Sequence, residues 1–283
     1  MVKKKRLKLA AWTGILAAVI FWLWWGNRTI GISHYEISLD DHRELDGFTI
    51  VQVSDLHNTE FGRGSDDLLR LIQDSSPDII AVTGDLISRE DHVFETAMDF
   101  IGKAQSIAPV YFVTGNHEAY HEHFSKIRRE LLERGVRVLT NEETFVDYGS
   151  SRIRLIGTED PAFAGRSGLS EERILGAALG DLRSAGEDFT LLLSHRPEFF
   201  SLYVLYELDL VLAGHAHGGQ VRLPFIGALT APGQGWFPDY TEGVHEAGDT
   251  RMVVSRGLGN SIIPLRVNNP PELVVVSLAA PIR

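Results

Sequence analysis

The residues of this chain that could do chemistry come in five short groups. SDLH supplies Asp55 and His57, and TGDL supplies Asp85. TGNHE supplies Asn116, His117 and Glu118, SHRP supplies His195, and AGHAH supplies His215 and His217. All donate through oxygen or imidazole nitrogen, and the chain has no cysteine, which excludes thiolate catalysis, cysteine zinc sites and disulfides. Such a set suits a hard or borderline divalent ion such as manganese, iron or zinc better than copper(I). Asp, His, Asp, Asn, His, His and His also exceed what one four-coordinate zinc uses. They suffice for two ions sharing a bridging carboxylate, the arrangement that clamps the attacking and leaving oxygens in phosphoryl chemistry.

Each group follows an apolar run that reads as a strand: Phe48–Val53, Ile79–Val82, Val110–Val113, Phe189–Leu193 and Leu208–Ala213. A lone Asp or His after a strand is an ordinary turn residue. Five polar exits in order, three of them preceded by a glycine (Gly84, Gly115, Gly214), are not. In open α/β sheets ligand sites form beyond the carboxyl ends of the strands, so these exits should face one crevice. Between the strands lie helical patterns. One is capped near Ser65, buries Leu68, Leu69 and Ile72, and stops before Pro77. Others carry Phe94, Ala97, Met98 and Ile101, then Phe124, Ile127 and Leu131 up to Gly135, and, from Ser170, Ile174, Ala178 and Leu182. The alternation predicts an α/β fold with a largely parallel sheet. Val136–Ile156, with a turn at Gly149-Ser150, and Leu273–Leu278 read as further strands, which a sandwich of two sheets accommodates. The other histidines, His34, His42, His92, His121, His123 and His245, read as surface or loop residues.

The formal charge of −11 hides an asymmetry: Lys3, Lys4, Lys5, Arg6 and Lys8 precede any acid, so the rest of the chain carries −16. So acidic a domain is a poor partner for nucleic acid. The basic cluster leads into LAAWTGILAAVIFWLWWGN, Leu9 to Asn27, uncharged and about as long as the roughly 30 Å hydrocarbon core requires. Trp12 at one end and Trp22, Trp24 and Trp25 at the other suit interfacial belts. No small-x-small cleavage site follows, which favours a retained single-pass anchor over a signal peptide. The basic residues before the span place the N-terminus inside and the catalytic domain outside the cytoplasm. The predicted organisation is an anchor at 1–27, a linker with a candidate edge strand (Tyr35–Leu39) at 28–46, and a catalytic domain at 47–283.

The pattern D-x-H, G-D, G-N-H-E, lone His, G-H-x-H, carried by Asp55/His57, Gly84/Asp85, Gly115–Glu118, His195 and Gly214–His217, resembles the calcineurin-like metallophosphoesterase superfamily. The continuation GGQVRLPFIGALTAPGQGWFP, with SRGLGNSIIPLRVNNPPEL further on, is similar to its membrane-anchored bacterial branch, which includes manganese-dependent phosphodiesterases and enzymes that cleave UDP-diacylglucosamine. The resemblance implies a four-layer α/β/β/α sandwich of two mixed sheets and a bacterial cell-membrane location. It implies two divalent ions, manganese foremost and iron or zinc as alternatives. Asp55, His57 and His217 would hold the first, Asn116, His195 and His215 the second, and Asp85 would bridge. The implied activity is phosphoester hydrolysis by in-line attack of a metal-bridging hydroxide, with His117 acting on the leaving oxygen. Many relatives have an acid three positions after the Gly-Asp aspartate where this chain has Ser88, so the group that orients His117 must be another, with Glu118 and Asp91 as candidates. The alternative activity is a pyrophosphohydrolase on a nucleotide-linked lipid precursor such as UDP-diacylglucosamine, which would require a cytoplasmic catalytic domain. A non-catalytic scaffold of the same fold fits badly with seven retained ligands. The loop Pro224–Tyr240, with Phe225, Trp236, Phe237 and Tyr240, would wall the cleft and favour a lipid-linked phosphoester. Arg63 and Arg196 are candidate phosphate clamps that otherwise read as surface residues. Nothing in the sequence bears on oligomeric state.

Overall fold

A computed structural model describes residues 2–39, 41–165, 167–183, 186, 188–260 and 264–281. Residues 261–263, inside the second quoted motif, lie outside the described residues. Helix α1 (Val2–Gly26) comes first, and its residues Leu9–Trp22 are all exposed. A helix apolar all round and unpacked has the character of a membrane span, and Lys8–Gly26 is long and apolar enough to be one.

The first sheet contains β1 (Gly31–Ser38), β2 (Thr49–Val53), β3 (Ile79–Thr83), β4 (Val110–Val113) and β5 (Arg137–Val138). The second contains β6 (Glu142–Tyr148), β7 (Ser151–Gly157), β8 (Phe189–Leu193) and β9 (Leu210–Ala213). Two small hairpins follow, β10 (Arg222–Leu223) with β11 (Gly227–Ala228) and β12 (Thr230–Ala231) with β13 (Gly235–Trp236). Then β14 (Gly243–Ala247) and β15 (Thr250–Val254) extend the second sheet, and β16 (Glu272–Ala279) returns to the first. The strand orders are β1-β16-β2-β3-β4-β5 and β14-β15-β9-β8-β7-β6. Both sheets are mixed: β16 is antiparallel to β2, and β6 to β7, while β2, β3 and β4 in one and β7, β8 and β9 in the other are parallel.

Three apolar clusters define the layers. Ile50, Ala81 and Val276 of the first sheet meet Leu155, Leu191, Leu212 and Val253 of the second, so the sheets pack face to face. The other face of the first sheet is covered by α2 (Asp66–Asp74), α3 (Glu95–Ala104) and α5 (Phe124–Glu133), the short α4 (Asn116–Tyr120) lying between. The other face of the second is covered by α6 (Glu171–Asp181) and α7 (Phe200–Leu205). This is the expected α/β/β/α sandwich. Strands such as β3, buried at every position, are almost entirely apolar because both of their faces are covered.

Some local expectations are corrected. Ser65 precedes α2 in a left-handed conformation with no side-chain cap; the carbonyl of Phe61 takes the Asp67 N–H instead. Ser170 does cap α6, accepting from the Arg173 N–H, but that helix buries Leu175 and Leu179 rather than Ile174, Ala178 and Leu182. Leu175 and Leu179, one turn apart, point straight at the sheet, while Ile174, Ala178 and Leu182 flank them and are only partly buried.

Candidate metal centre

The carboxyl ends of β2, β3 and β4 and those of β8 and β9 meet along one edge of the sandwich. Asp55, His57, Asp85, His195, His215 and His217 are all buried there. Donor atoms of Asp55, His57, Asp85 and His217 lie within 4.8 Å of one another, and so do those of Asp85, His195 and His215. Asp85 belongs to both groups. Its Oδ2 is 3.3 Å from His195 Nε2 and 3.8 Å from His57 Nε2.

The backbone bends sharply to achieve this. Asp55, His57, Asp85, His215 and His217 all have φ between 47° and 66°, in the left-handed region that non-glycine residues rarely enter. Such conformations cluster where a site over-determines them. The glycines serve close approach: a Cβ on Gly214 would lie 2.0 Å from Ser54 Oγ and 2.5 Å from Asp55 Oδ2, and one on Gly84 2.6 Å from His195 Nδ1. His215 and His217 thus turn to opposite ends of the cluster. His215 Nδ1 faces His195 Nε2 at 3.2 Å, and His217 Nε2 faces His57 Nε2 at 3.2 Å.

The residues fit divalent ions on three observations. Paired imidazole nitrogens converge where a neutral ring has at most one proton to share, the spacing expected of ligands to a common ion. Outer contacts orient the rings: His195 Nδ1–H donates to the Thr83 carbonyl (2.7 Å), leaving Nε2 to the cluster, and Ser88 Oγ lies 3.3 Å from His57 Nδ1. Finally, Asn116 Oδ1 is buried with no hydrogen-bond partner among the described residues, as a ligand oxygen awaiting a cation would be.

The electrostatics agree. Burial pushes the Asp55 carboxyl up to about 6, against the opposing pull of His195. Burial would also raise Asp85, but His195 and His57 hold it well below the usual carboxylate range. Burial alone would depress His195; Asp85 overrides it and holds the ring at about 10, so without an ion it carries a second proton on Nε2, which a cation bound there would have to displace. Burial lowers His57 to about 3 and takes His215 and His217 well below the ordinary imidazole value, so these three rings are neutral and able to ligate.

His117 stands apart from both donor groups. Its ring lies edge-on to His57, centroids 4.6 Å apart. Its Nδ1 accepts the Arg89 backbone N–H at 3.1 Å, which puts the proton of the neutral ring on Nε2. The orienting group is therefore this amide. Asp91 instead accepts the Ser88 N–H. Glu118, fully buried and raised to about 8 by burial and then by Asp85, accepts from the N–H groups of Gly115, Asp85 and Ile87 and stitches the two loops together.

Arg196 is buried, not a surface residue: its guanidinium is engaged by both oxygens of Asp160, with Glu198 and Glu171 nearby, so it braces the wall rather than offering a phosphate clamp. Arg63 is exposed before α2. His121 is also buried rather than solvated, donating to the Asp91 carbonyl and accepting from the His123 N–H. The sequence reading passed over Arg266. This buried guanidinium donates to the carbonyls of Arg256 and Gly259 and lies 3.3 Å from His217 Nδ1. The Gly259 N–H in turn donates to the Asp55 carbonyl at 2.7 Å. The second quoted motif thus braces the Asp55 loop from behind.

Comparison with known proteins bears on the same residues. The profile of the family described as calcineurin-like phosphoesterase matches residues 48–219, from the start of β2 to just past His217. The chain is 30% identical over 244 residues to the uncharacterized metallophosphoesterase YkuE of Bacillus subtilis, covering 83% of this chain and 80% of that one. It is 29% identical to the phosphodiesterase YaeI of Escherichia coli, covering 82% of each. It is also 29% identical to a bovine transmembrane protein with metallophosphoesterase domain, covering 83% of this chain and 54% of that one. Among solved structures, the NAD nucleotidase of Haemophilus influenzae shares the fold with a TM-score of 0.50 at 14% identity, over 74% of this chain and half of that chain's length. A profile spanning all five polar turns, and relatives matched over 80% and 82% of their length, mean that this chain belongs to the calcineurin-like phosphoesterase family and is a metal-dependent phosphoester hydrolase.

Proposed function

We propose that the chain is a membrane-anchored hydrolase of phosphodiesters or phosphomonoesters working with two divalent ions, manganese foremost. Asp55, His57 and His217 hold one ion, Asn116, His195 and His215 the other, and Asp85 both. The observation that carries this reading is the position of Asp85 Oδ2 at the shared corner of the two donor groups. Bound there, the ions would supply hydroxide near neutral pH and neutralise the phosphoryl oxygens. His117 is the catalytic acid: the Arg89 amide occupies Nδ1, and the Nε2 proton goes to the departing oxygen. The name of the Escherichia coli relative supports a diester substrate.

Residues 1–27 form the anchor, 28–46 connect it to the catalytic domain and contribute that domain's edge strand β1, and 47–283 complete the domain, which lies outside the cytoplasm. The apolar, unpacked α1 and the transmembrane bovine relative support the anchor. Full-length protein in detergent, stripped and reloaded with manganese, iron or zinc, tests the activity against aryl phosphodiesters, phosphomonoesters and pyrophosphate diesters. Manganese-dependent diester cleavage is expected. No turnover with any ion would sink the reading, and cleavage of pyrophosphate diesters alone would favour a pyrophosphohydrolase. Protease added to intact cells should reach the catalytic domain.

A further inference from the structure

The loop expected to wall the cleft turns outward. Its root lies by the metal centre: a Cβ on Gly233 would lie 2.4 Å from Glu198 Oε1, and Glu198 is 3.9 Å from His215 Nε2. Its apolar side chains are in solvent. Phe225 is fully exposed, Trp236 is 74% and Phe237 66% exposed, and Leu223 and Ile226 are also exposed. Outside α1, the other large exposed apolar residues among those described are scattered along the chain, whereas these five fall within fifteen positions. Phe225 and Phe237 also have left-handed φ values of 69° and 54°, a strained setting for exposed aromatic residues.

The hydrogen bonds show what this patch adjoins. At the end of α1, the Asn27 side-chain amide donates to the Arg266 carbonyl (2.9 Å), and its oxygen accepts the Arg266 N–H (2.7 Å). Next in the chain, Val267 bridges Val221, and its carbonyl accepts the Arg222 N–H at 3.0 Å. Arg222 opens the β10–β11 hairpin, whose turn carries Phe225 and Ile226. The Leu229 N–H donates to the Val221 carbonyl and the Phe237 N–H to the Leu229 carbonyl, which ties in the second hairpin. One run of main-chain and amide bonds therefore joins the tryptophan-rich end of α1 to the exposed aromatic loop.

We propose that the Leu223–Phe237 loop is a second membrane contact that seats its aromatic residues in the lipid interface beside the anchor and turns the metal centre toward the bilayer surface. This rests on reading α1 as a membrane span. Aromatic side chains at a water–lipid boundary gain by burying their rings at headgroup level, and the site would then act on phosphoesters at that surface. Exposed apolar clusters of this kind mark an interaction face, and its continuity with α1 selects lipid over a protein partner.

The cysteine-free chain allows single-site labelling. Full-length Phe225→Cys, Ile226→Cys, Ser150→Cys and Ile15→Cys variants would each carry a nitroxide in vesicles of phosphatidylethanolamine and phosphatidylglycerol. Accessibility to oxygen against a water-soluble nickel chelate reports depth. The proposal expects the Phe225 and Ile226 labels to favour oxygen, Ser150 to favour nickel, and Ile15 to lie deepest. Nickel-accessible labels at Phe225 and Ile226 above a buried Ile15 overturn the loop contact and leave the anchor standing. Lipid-protected loop labels with an aqueous Ile15 keep the contact and remove the anchor. Aqueous labels at all these sites overturn both. Spin–spin broadening at Phe225 that persists in detergent would show a second copy covering the loop, and would overturn the proposal.

Discussion

The two sheets contribute unequal halves to the metal centre. The first supplies both carboxylates, the amide of Asn116, one ligand imidazole and His117; the second supplies imidazoles alone. Their supports differ in kind as well. The carboxylates of the first sheet rest on backbone amides: Asp85 Oδ1 accepts the His117 N–H, and Asp55 accepts the His215 N–H and the Ser54 hydroxyl. The imidazoles of the second sheet are turned by a carbonyl and by a guanidinium, those of Thr83 and Arg266. Several of these supports cross between sheets, so each half is oriented by the other. Charge is gathered on one side and soft orientation on the other, and the ions would join them.

Substitutions at four positions test that division. Asp85→Ala removes the group common to both halves. Metal content should fall to background and activity by more than the roughly thousandfold typical of one transition-state donor; retained metal by elemental analysis would show that the halves hold ions independently. His117→Ala should lower kcat by about 10²–10⁴-fold with metal content unchanged, and metal loss in that variant would mean that the first sheet uses His117 as a ligand. Arg266→Ala should weaken metal binding by about 10–100-fold, read by chelator competition, with Arg266→Lys recovering part of the loss. Ser88→Ala should do least, under about tenfold, because it removes one neutral hydroxyl beside His57, whereas Arg266 is a buried guanidinium that also holds the Arg256 and Gly259 carbonyls. A Ser88 effect larger than that of Arg266 would reverse the ranking of the two halves.

Most of the centre is legible in the sequence because each polar turn directly follows a strand that is largely apolar, as burial on both faces requires. The same logic explains what is not legible. Arg266 follows no strand and acts on His217 from 49 positions away in the chain. His121 finds its partners in two neighbouring loop backbones, which no periodicity announces. The β14–β15 pair escapes notice because β14, at the sheet edge, is nowhere fully buried and mixes small, acidic and apolar residues. The orienting group of His117 is a main-chain amide, and any residue at position 89 other than proline would provide it.

The order of the first sheet also governs when the protein can form. Its second strand, β16, separates β1 from β2 and pairs with both, although more than two hundred residues divide it from them in sequence. On the ribosome, the edge of the nascent sheet stays open until β16 emerges, and β1 has no neighbour until then. Maturation of this hydrolase is therefore a late, long-range event, exposed to misassembly for most of its synthesis.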